Sequence, residues 1–438
     1  MYKIGNIRKR MYMITAVVTL LASSVITGCE QKANIVELEG DNAISLPTEN
    51  LTAETDIGVT IDYAISSYKS VENFSYQLFA ENMEDTNPVL SPVSAYLALT
   101  MAGEGTDGNT KKQFMDVLGE DMVALSYDMM NQLPVNTDEL SILLANSAWL
   151  DDQFEVKNEW LGTVASLFDA DVYQTTISSK KAMKQMNTWI SEKTYGLIDN
   201  MLTEPLSNNA RLVLFNTIYF KGKWQNVFWG AEDDEFTTES GDKISTAFMR
   251  QYAEQYDYVE NAYTRGVFMP YITENYETDK YAMLALIPKD GKTVREMYHQ
   301  LITDKDILST FLAQKESKSV NLKLPKFDIT FDKILNDSLN HMGLTDAFDG
   351  STADFSQLVT EDSGENLYIS LVRQKAVIKV DEQGTEAAAA TEVGIECAAL
   401  ETDEPIDVYF NQPFLYMIVD MEREIPLFIG IIDNPAIS

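Results

Sequence analysis

His299 and His341 are the only histidines in the chain, so the usual near-neutral general base could come from these two positions alone. His299 stands in a polar, helix-patterned stretch. His341 lies in Leu339-Asn340-His341-Met342-Gly343, close to an expected helix end, and both read as surface or capping residues. No His-Glu-x-x-His, Cys-x-x-Cys or Gly-x-Ser-x-Gly spacing occurs. The run Gly103-Glu104-Gly105-Thr106-Asp107-Gly108 follows an apolar helical pattern over 96–102 rather than a strand, and reads as a helix end, not a phosphate cradle. With no His/Cys cluster and no ordered acidic spacing, neither a metal site nor a cofactor is expected. The residue types argue against an enzyme.

The chemistry they do support is a rearrangement of the backbone. Taking every second residue from Thr385 gives Thr385, Ala387, Ala389, Thr391, Val393, Ile395 and Cys397, all small or apolar. The intervening Glu386, Ala388, Ala390, Glu392, Gly394, Glu396 and Ala398 hold every charge. Period two is the mark of a strand with one buried face. Yet four consecutive alanines beside Gly384 are poor strand formers. Such a pattern predicts a loop that becomes a strand later, positioned by the strand that precedes it at 376–380.

Glu382-Gln383-Gly384-Thr385-Glu386-Ala387-Ala388-Ala389-Ala390-Thr391 resembles the proximal hinge of the reactive-centre loop of inhibitory serpins. Ser91-Pro92-Val93-Ser94 resembles that family's shutter serines at the start of a buried helix, and Asn216-Thr217-Ile218-Tyr219-Phe220-Lys221-Gly222-Lys223-Trp224 its central-sheet strand and breach tryptophan. Leu322-Lys323-Leu324-Pro325-Lys326-Phe327 resembles a further strand motif. Phe410-Asn411-Gln412-Pro413-Phe414 and Pro426-Leu427-Phe428-Ile429-Gly430 resemble the two C-terminal core strands. One position departs from the family, which usually carries histidine before the Lys-Ala-Val that reads Lys375-Ala376-Val377 here. This chain has Gln374, whose amide can donate and accept hydrogen bonds with Asn216 and the serines.

The resemblance implies an α+β serpin fold: helices around three β-sheets, a large central sheet, and an exposed reactive-centre loop at about 382–405. It implies that a target serine protease cuts this loop. The hinge side then inserts as a new central strand, carrying the acyl-linked protease in a covalent complex with a monomeric inhibitor. Family spacing puts the cut bond between Ala398 and Ala399, with Cys397, Ala399 or Leu400 as alternative cleaved positions. A small residue there suits a shallow apolar pocket, and no Lys or Arg lies between Lys379 and Pro413, which points to elastase-like or subtilisin-like targets and away from trypsin-like ones. Rival readings are a non-inhibitory binding or transport serpin, an inhibitor of papain-like cysteine proteases, and an adhesion or solute-binding lipoprotein.

At the start of the chain, Lys3, Arg8, Lys9 and Arg10 precede an apolar stretch at 14–26, too short to span a bilayer comfortably. Ile26-Thr27-Gly28-Cys29 resembles a bacterial lipobox, implying cleavage before Cys29 and lipid on its sulfur; an ordinary secretory signal is the alternative. The expected organisation is therefore a signal peptide at 1–28, an acidic tether at 29–60 and the serpin domain at 61–438. The protein would be extracytoplasmic, lipid-anchored to a bacterial cell envelope on the surface or periplasmic face, or secreted. With Cys29 lipidated, Cys397 has no partner for an internal disulfide. As a lone thiol beside the cut bond it reads either as a redox sensor or, more plainly, as a small residue that fits a protease subsite.

Net charge is −35, and removing the four basic residues of the first 28 positions leaves 29 basic against 68 acidic, about −39. Nucleic-acid binding is excluded on that balance, since phosphate contacts need Lys and Arg clusters. Helical spacing begins at Ile61, continues through Ala64, Ile65, Tyr68, Val71 and Phe74 to Leu78, and dominates to about residue 200, apart from an apolar run at 142–150. Ser91 and Pro92 suit the cap and first position of a helix. Strand patterns follow at 211–224, 282–288, 320–329 and 376–380. Two continuous apolar runs at 414–419 and 427–432 read as a hairpin buried on both faces.

Overall fold

A computed structural model describes residues 44–45, 65, 67–273, 280–303, 306–360, 366–385 and 404–437. Residues 1–28, Cys29, Glu386, Ala387, Ala388, Ala389, Ala390, Cys397, Ala398 and Ala399, on which several expectations rest, lie outside the described residues.

Sheet A runs β1 (Ile44–Ser45), β5 (Asp171–Thr175), β4 (Leu140–Asp151), β6 (Leu212–Lys223), β14 (Gly384–Thr385), β13 (Ile369–Val380) and β12 (Phe327–Ile334), with β3 (Val135–Asn136) on β4. Sheet B runs β15 (Ile406–Tyr409), β11 (Glu316–Pro325), β8 (Lys243–Glu260), β9 (Thr264–Pro270), β10 (Tyr281–Pro288), β16 (Phe414–Asp420), β17 (Ile425–Ile432) and β2 (Val89–Leu90), with β7 (Ala231–Thr237) beside β8. The helices are α1 (Lys69–Ala80), α2 (Pro92–Gly103), α3 (Gly108–Leu118), α4 (Met122–Gln132), α5 (Asn158–Phe168), α6 (Lys180–Lys193), α7 (Val294–Thr303), α8 (Ile307–Gln314) and α9 (Asn336–Met342). Segregated helices and mostly antiparallel strands make an α+β fold with a large central sheet. The hydrogen bonds join the two sheets expected beside it into one. Strand β8 bends at Ala253, where φ is +53°, and serves β7 near one end and β9 near the other.

Continuous apolar runs become strands covered on both sides. Leu212 and Leu214 of β6 enter the main core, while Val213 and Phe215 pack under α6 with Trp149, Met186 and Trp189. In the C-terminal hairpin every residue of β16 and β17 is buried, around a turn at 421–424. Helix α2 begins as its sequence indicates: Ser91 caps it and Pro92 occupies the first position.

Two expectations need correction. The first helix starts at Lys69, not Ile61: Ile65 and Tyr68 precede it and pack against the core without being helical. The 320–329 run is two strands in different sheets, broken at Lys326, because Pro325 ends the ladder of β11 and Phe327 opens β12. Within the segment expected to be a tether, Ile44 and Ser45 pair with Gln174 and Tyr173 on the free edge of β5.

Candidate functional site

The site is the seam between β6 and β13. These strands run parallel and pair directly only at one end, where Ile369, Leu371 and Val372 face Leu212, Val213 and Leu214. At the other end the chain leaves β13 after Val380, turns, and returns as Gly384–Thr385 between the two. The turn is built locally. The Asp381 carboxylate accepts from the backbone N–H of Gln383 (2.8 Å) and of Gly384 (3.3 Å), and the Asp381 N–H donates to the Gly384 carbonyl (3.0 Å).

Trp224 grips this turn from below. Its indole N–H donates to the Asp381 carbonyl (2.9 Å) and its backbone N–H to the Gln383 carbonyl (2.8 Å). The ring stacks on Tyr271 at 4.7 Å between centroids, and the Tyr271 hydroxyl lies 2.7 Å from that of Thr385. Burial holds the Tyr271 phenol far above its usual range, so it stays a neutral hydrogen-bonding partner. Thr385 is 1% exposed and faces inward, which sets the phase at the start of the hinge. Gly384 is required sterically, since a Cβ there would sit 2.0 Å from the Gly222 carbonyl oxygen. Glu382 stays at the rim, paired with Lys326 at 2.7 Å. Burial is the largest single influence and pushes its pKa up, but the Lys326 bond and charge together with a backbone hydrogen bond hold the carboxyl below its usual range.

The shutter lies lower on the same seam. The Ser94 hydroxyl donates to the side-chain oxygen Oδ1 of Asn216, and the Asn216 side-chain Nδ2–H donates to Oδ1 of Asn146, its cross-strand neighbour on β4. Gln374 departs from the expected partners. Its amide brackets the backbone of Ser91, accepting from the N–H and donating to the carbonyl at 2.8 Å each, instead of reaching Asn216. All these groups are buried, so each bond satisfies a donor or acceptor that would be costly to leave bare.

Of the expected residues, the structure thus brings together Glu382, Gly384, Thr385 and Trp224 at the breach, and Ser91, Ser94, Asn216 and Gln374 at the shutter. Three participants went unnoticed in the sequence. Asn146 is an amide inside an apolar run and could have been flagged on that ground. Asp381 and Gly384 form an Asp-x-x-Gly turn, also a readable signal. Tyr271 carries no local pattern that marks it. His299 and His341 are exposed and far from the seam in role; His341 pairs with Glu81. Among the described residues there is no cluster able to hold a metal ion.

The serpin (serine protease inhibitor) family model matches residues 69–435, and the chain belongs to the serpin family. Serpin-Z2B of Triticum aestivum is 28% identical over 404 residues, 88% of this chain and 99% of its own length. The native-state structure of the thermophilic serpin Tengpin is 30% identical, with a TM-score of 0.76 over 84% of this chain and 93% of that one. The same protein in its latent state gives a TM-score of 0.69 over 83% and 96%. Human thyroxine-binding globulin complexed with thyroxine is 25% identical at a TM-score of 0.74, covering 84% and 98%. Members of this family are generally protease inhibitors rather than proteases, and some are non-inhibitory.

Proposed function

We propose that this chain is an irreversible suicide-substrate inhibitor of extracellular serine proteases of elastase-like or subtilisin-like specificity. One observation carries the reading: Gly384 and Thr385 are already seated as a strand between β6 and β13.

The register of that seat can be continued. Gly384 faces Lys223 and Thr385 faces Gly222 on β6, while Thr385 faces Val380 on β13. Extended antiparallel, Thr391 meets Asn216 on one side and Gln374 on the other. Val393 meets Leu214 and Val372, which now pair with each other. Ile395 reaches Leu212, where β6 begins. Insertion thus has two stages: residues up to about 392 enter a stretch where β6 and β13 make no direct ladder, and the last few pry open the closed end. Inward positions are Ala387, Ala389, Thr391, Val393 and Ile395, all small or apolar, and charges fall outward. The strand is complete at Ile395, so the cut must lie beyond it, in keeping with Ala398–Ala399.

In this mechanism the protease serine attacks the Ala398 carbonyl, the bond to the Ala399 nitrogen breaks, and the acyl ester stays on Ala398 as the strand inserts. The cut is the trigger, because an uncut loop is held at both ends. The likeness to Tengpin, greater for its native than its latent state, favours a resting form with the rest of the loop outside the sheet. A non-inhibitory, ligand-binding role, as for the thyroxine-binding globulin above, is less consistent with a small-residue hinge in its seat. We further propose lipid attachment at Cys29 and an extracytoplasmic, envelope-anchored location, tested by labelling with a palmitate analogue in cells carrying Cys29→Ser. The inhibitory reading is tested by incubation with pancreatic elastase. A denaturation-resistant adduct of summed mass is expected, and clean loop turnover without adduct contradicts it.

A further inference from the structure

The outer face of the seam carries one sign of charge. Strands β6 and β13 together hold five basic residues, Lys221, Lys223, Arg373, Lys375 and Lys379, and no acidic one, in a chain of net charge −35. Side-chain alternation sorts the two faces. On β6, Leu212, Leu214 and Phe220 enter the main core, while Val213 and Phe215 face the other way, under α6. On β13, Val372, Ala376, Ile378 and Val380 enter the main core, while Leu371 and Val377 pack with the α6 cluster. All five basic residues follow the outer parity.

Both ends of the seam keep one register. Val372 pairs with Leu214 at the closed end, and Thr385 bridges Val380 and Gly222 at the open end. Eight residues separate Val372 from Val380 and eight separate Leu214 from Gly222, so a strand can fill the gap without a slip. Most of the cations are already matched from outside the seam. Lys379 pairs with Asp328 (3.1 Å), and Arg373 donates to both carboxylate oxygens of Asp332 (2.7 and 2.6 Å). Asp332 also faces Lys375 in register, and Lys223 pairs with Glu139 (4.0 Å). Lys221 faces Ser141 on β4 and makes no ion pair among the described residues.

Resting on the inhibitory reading above, we propose that Lys221 and Lys379 are positioning residues that receive Glu386 between them as the loop enters the sheet, and so fix the register of the new strand. Continuing the seat of Thr385 by one residue sets Glu386 opposite Lys221 on β6 and Lys379 on β13. The row across the outer face then reads Asp328, Lys379, Glu386, Lys221, with the sign alternating at every step. Opposite charges that face each other across a strand pair stabilise it, and like charges do the reverse.

The pairing rejects a defined error. A bulge of two residues after Thr385 keeps small side chains inward but sets Ala388 where Glu386 belongs. Lys221 and Lys379 then stand two strand spacings, ~10 Å, apart with no carboxylate between them. Glu392 has a lesser part, because the same register sets it opposite Arg373, whose fork Asp332 already occupies. A strand that enters out of step leaves water time to hydrolyse the acyl ester, which frees the protease serine and leaves Ala398 as a carboxylate. Register errors are therefore read as wasted inhibitor.

The test uses the full chain and counts inhibitor molecules consumed per pancreatic elastase trapped. Lys221→Glu and Glu386→Lys should each raise that number about fivefold, and exchanging the two charges in one chain should bring it back to within about twofold of the parent. Lys375→Gln, opposite Ala390, should leave it unchanged. The penalty of each reversal should shrink at about 1 M salt, where the Debye length is ~3 Å, as a purely structural defect would not. Lys221→Gln, with an effect of about twofold, replaces the reversal if that lowers the thermal midpoint of the intact chain. Adducts from the parent with both single variants unchanged, or an exchange no better than they are, sink the charge pair and leave the trap. Absence of any adduct from the parent sinks the trap, and the pair is then read from the chain nicked once beyond Ile395. There Lys221→Glu must lower the thermal midpoint of the nicked form but not of the intact one, with the exchange restoring it; an equal effect on both forms overturns the proposal.

Discussion

The hydroxyls of Tyr271 and Thr385 meet 2.7 Å apart beneath the stacked ring of Trp224, and so the inward phase of the hinge is set before any protease arrives. Thr385→Arg puts a charge where the side chain is 1% exposed and should convert inhibitor to substrate, with the loop cut and no adduct on a denaturing gel. Tyr271→Phe is milder. It leaves the Thr385 hydroxyl without this partner, lowering the denaturation midpoint by the equivalent of ~1–3 kcal/mol while adducts still form. Unchanged inhibition by Thr385→Arg would contradict insertion.

Parity along the loop gives a second prediction. On the register proposed above, Val393→Glu would place a carboxylate inward, opposite Leu214 and Val372, whereas Glu392→Gln would change an outward position. The first should raise the number of inhibitor molecules consumed per elastase trapped severalfold; the second should leave it near that of the parent chain. Equal values for the two variants would show that the register does not continue as proposed.

The shutter glutamine sets a pH expectation. Gln374 does not titrate, so its pair of bonds to the Ser91 backbone persists from pH 5 to 8. Gln374→His puts a buried imidazole there, whose folded pKa is depressed below about 6.5 by burial. Its stability should fall as pH drops through that range, while the parent's does not. Denaturant midpoints at pH 5 and pH 8 check this; parallel behaviour of the two chains refutes it.

At the breach, the Glu382 carboxyl is held below its usual range by Lys326 against the opposing effect of burial. A depressed folded pKa stabilises the native form above the unfolded value of about 4.3, and that contribution disappears as pH falls through the folded value. Glu382→Gln should therefore cost under ~1 kcal/mol at pH 7, since the pair is partly exposed. The cost should vanish in acid below the folded value. A gap between the two denaturation midpoints that stays constant into strong acid would contradict the assignment.

The two C-terminal strands and the Ser91-Pro92 helix start were legible because burial on both faces and cap chemistry leave local marks. The inward seat of Thr385 was legible because it opens a period of two in side-chain size. Strand β8 was not: Lys243–Glu260 mixes charge with aromatics, because it crosses between differently exposed surroundings and bends at Ala253. Tyr271 was beyond reach because its role comes from Trp224 and Thr385, which only the fold brings near. The partner of Gln374 was misread for a related reason. Sequence fixes what an amide can bond, but the spacing of α2 above β13 decides that it meets the Ser91 backbone.

Calorimetry of the chain before and after a single cut in the loop tests the stored-strain mechanism most directly. The account predicts that the nicked protein, with residues up to Ile395 built into sheet A, unfolds at a markedly higher temperature than the intact one. Equal or lower stability after cleavage would contradict it.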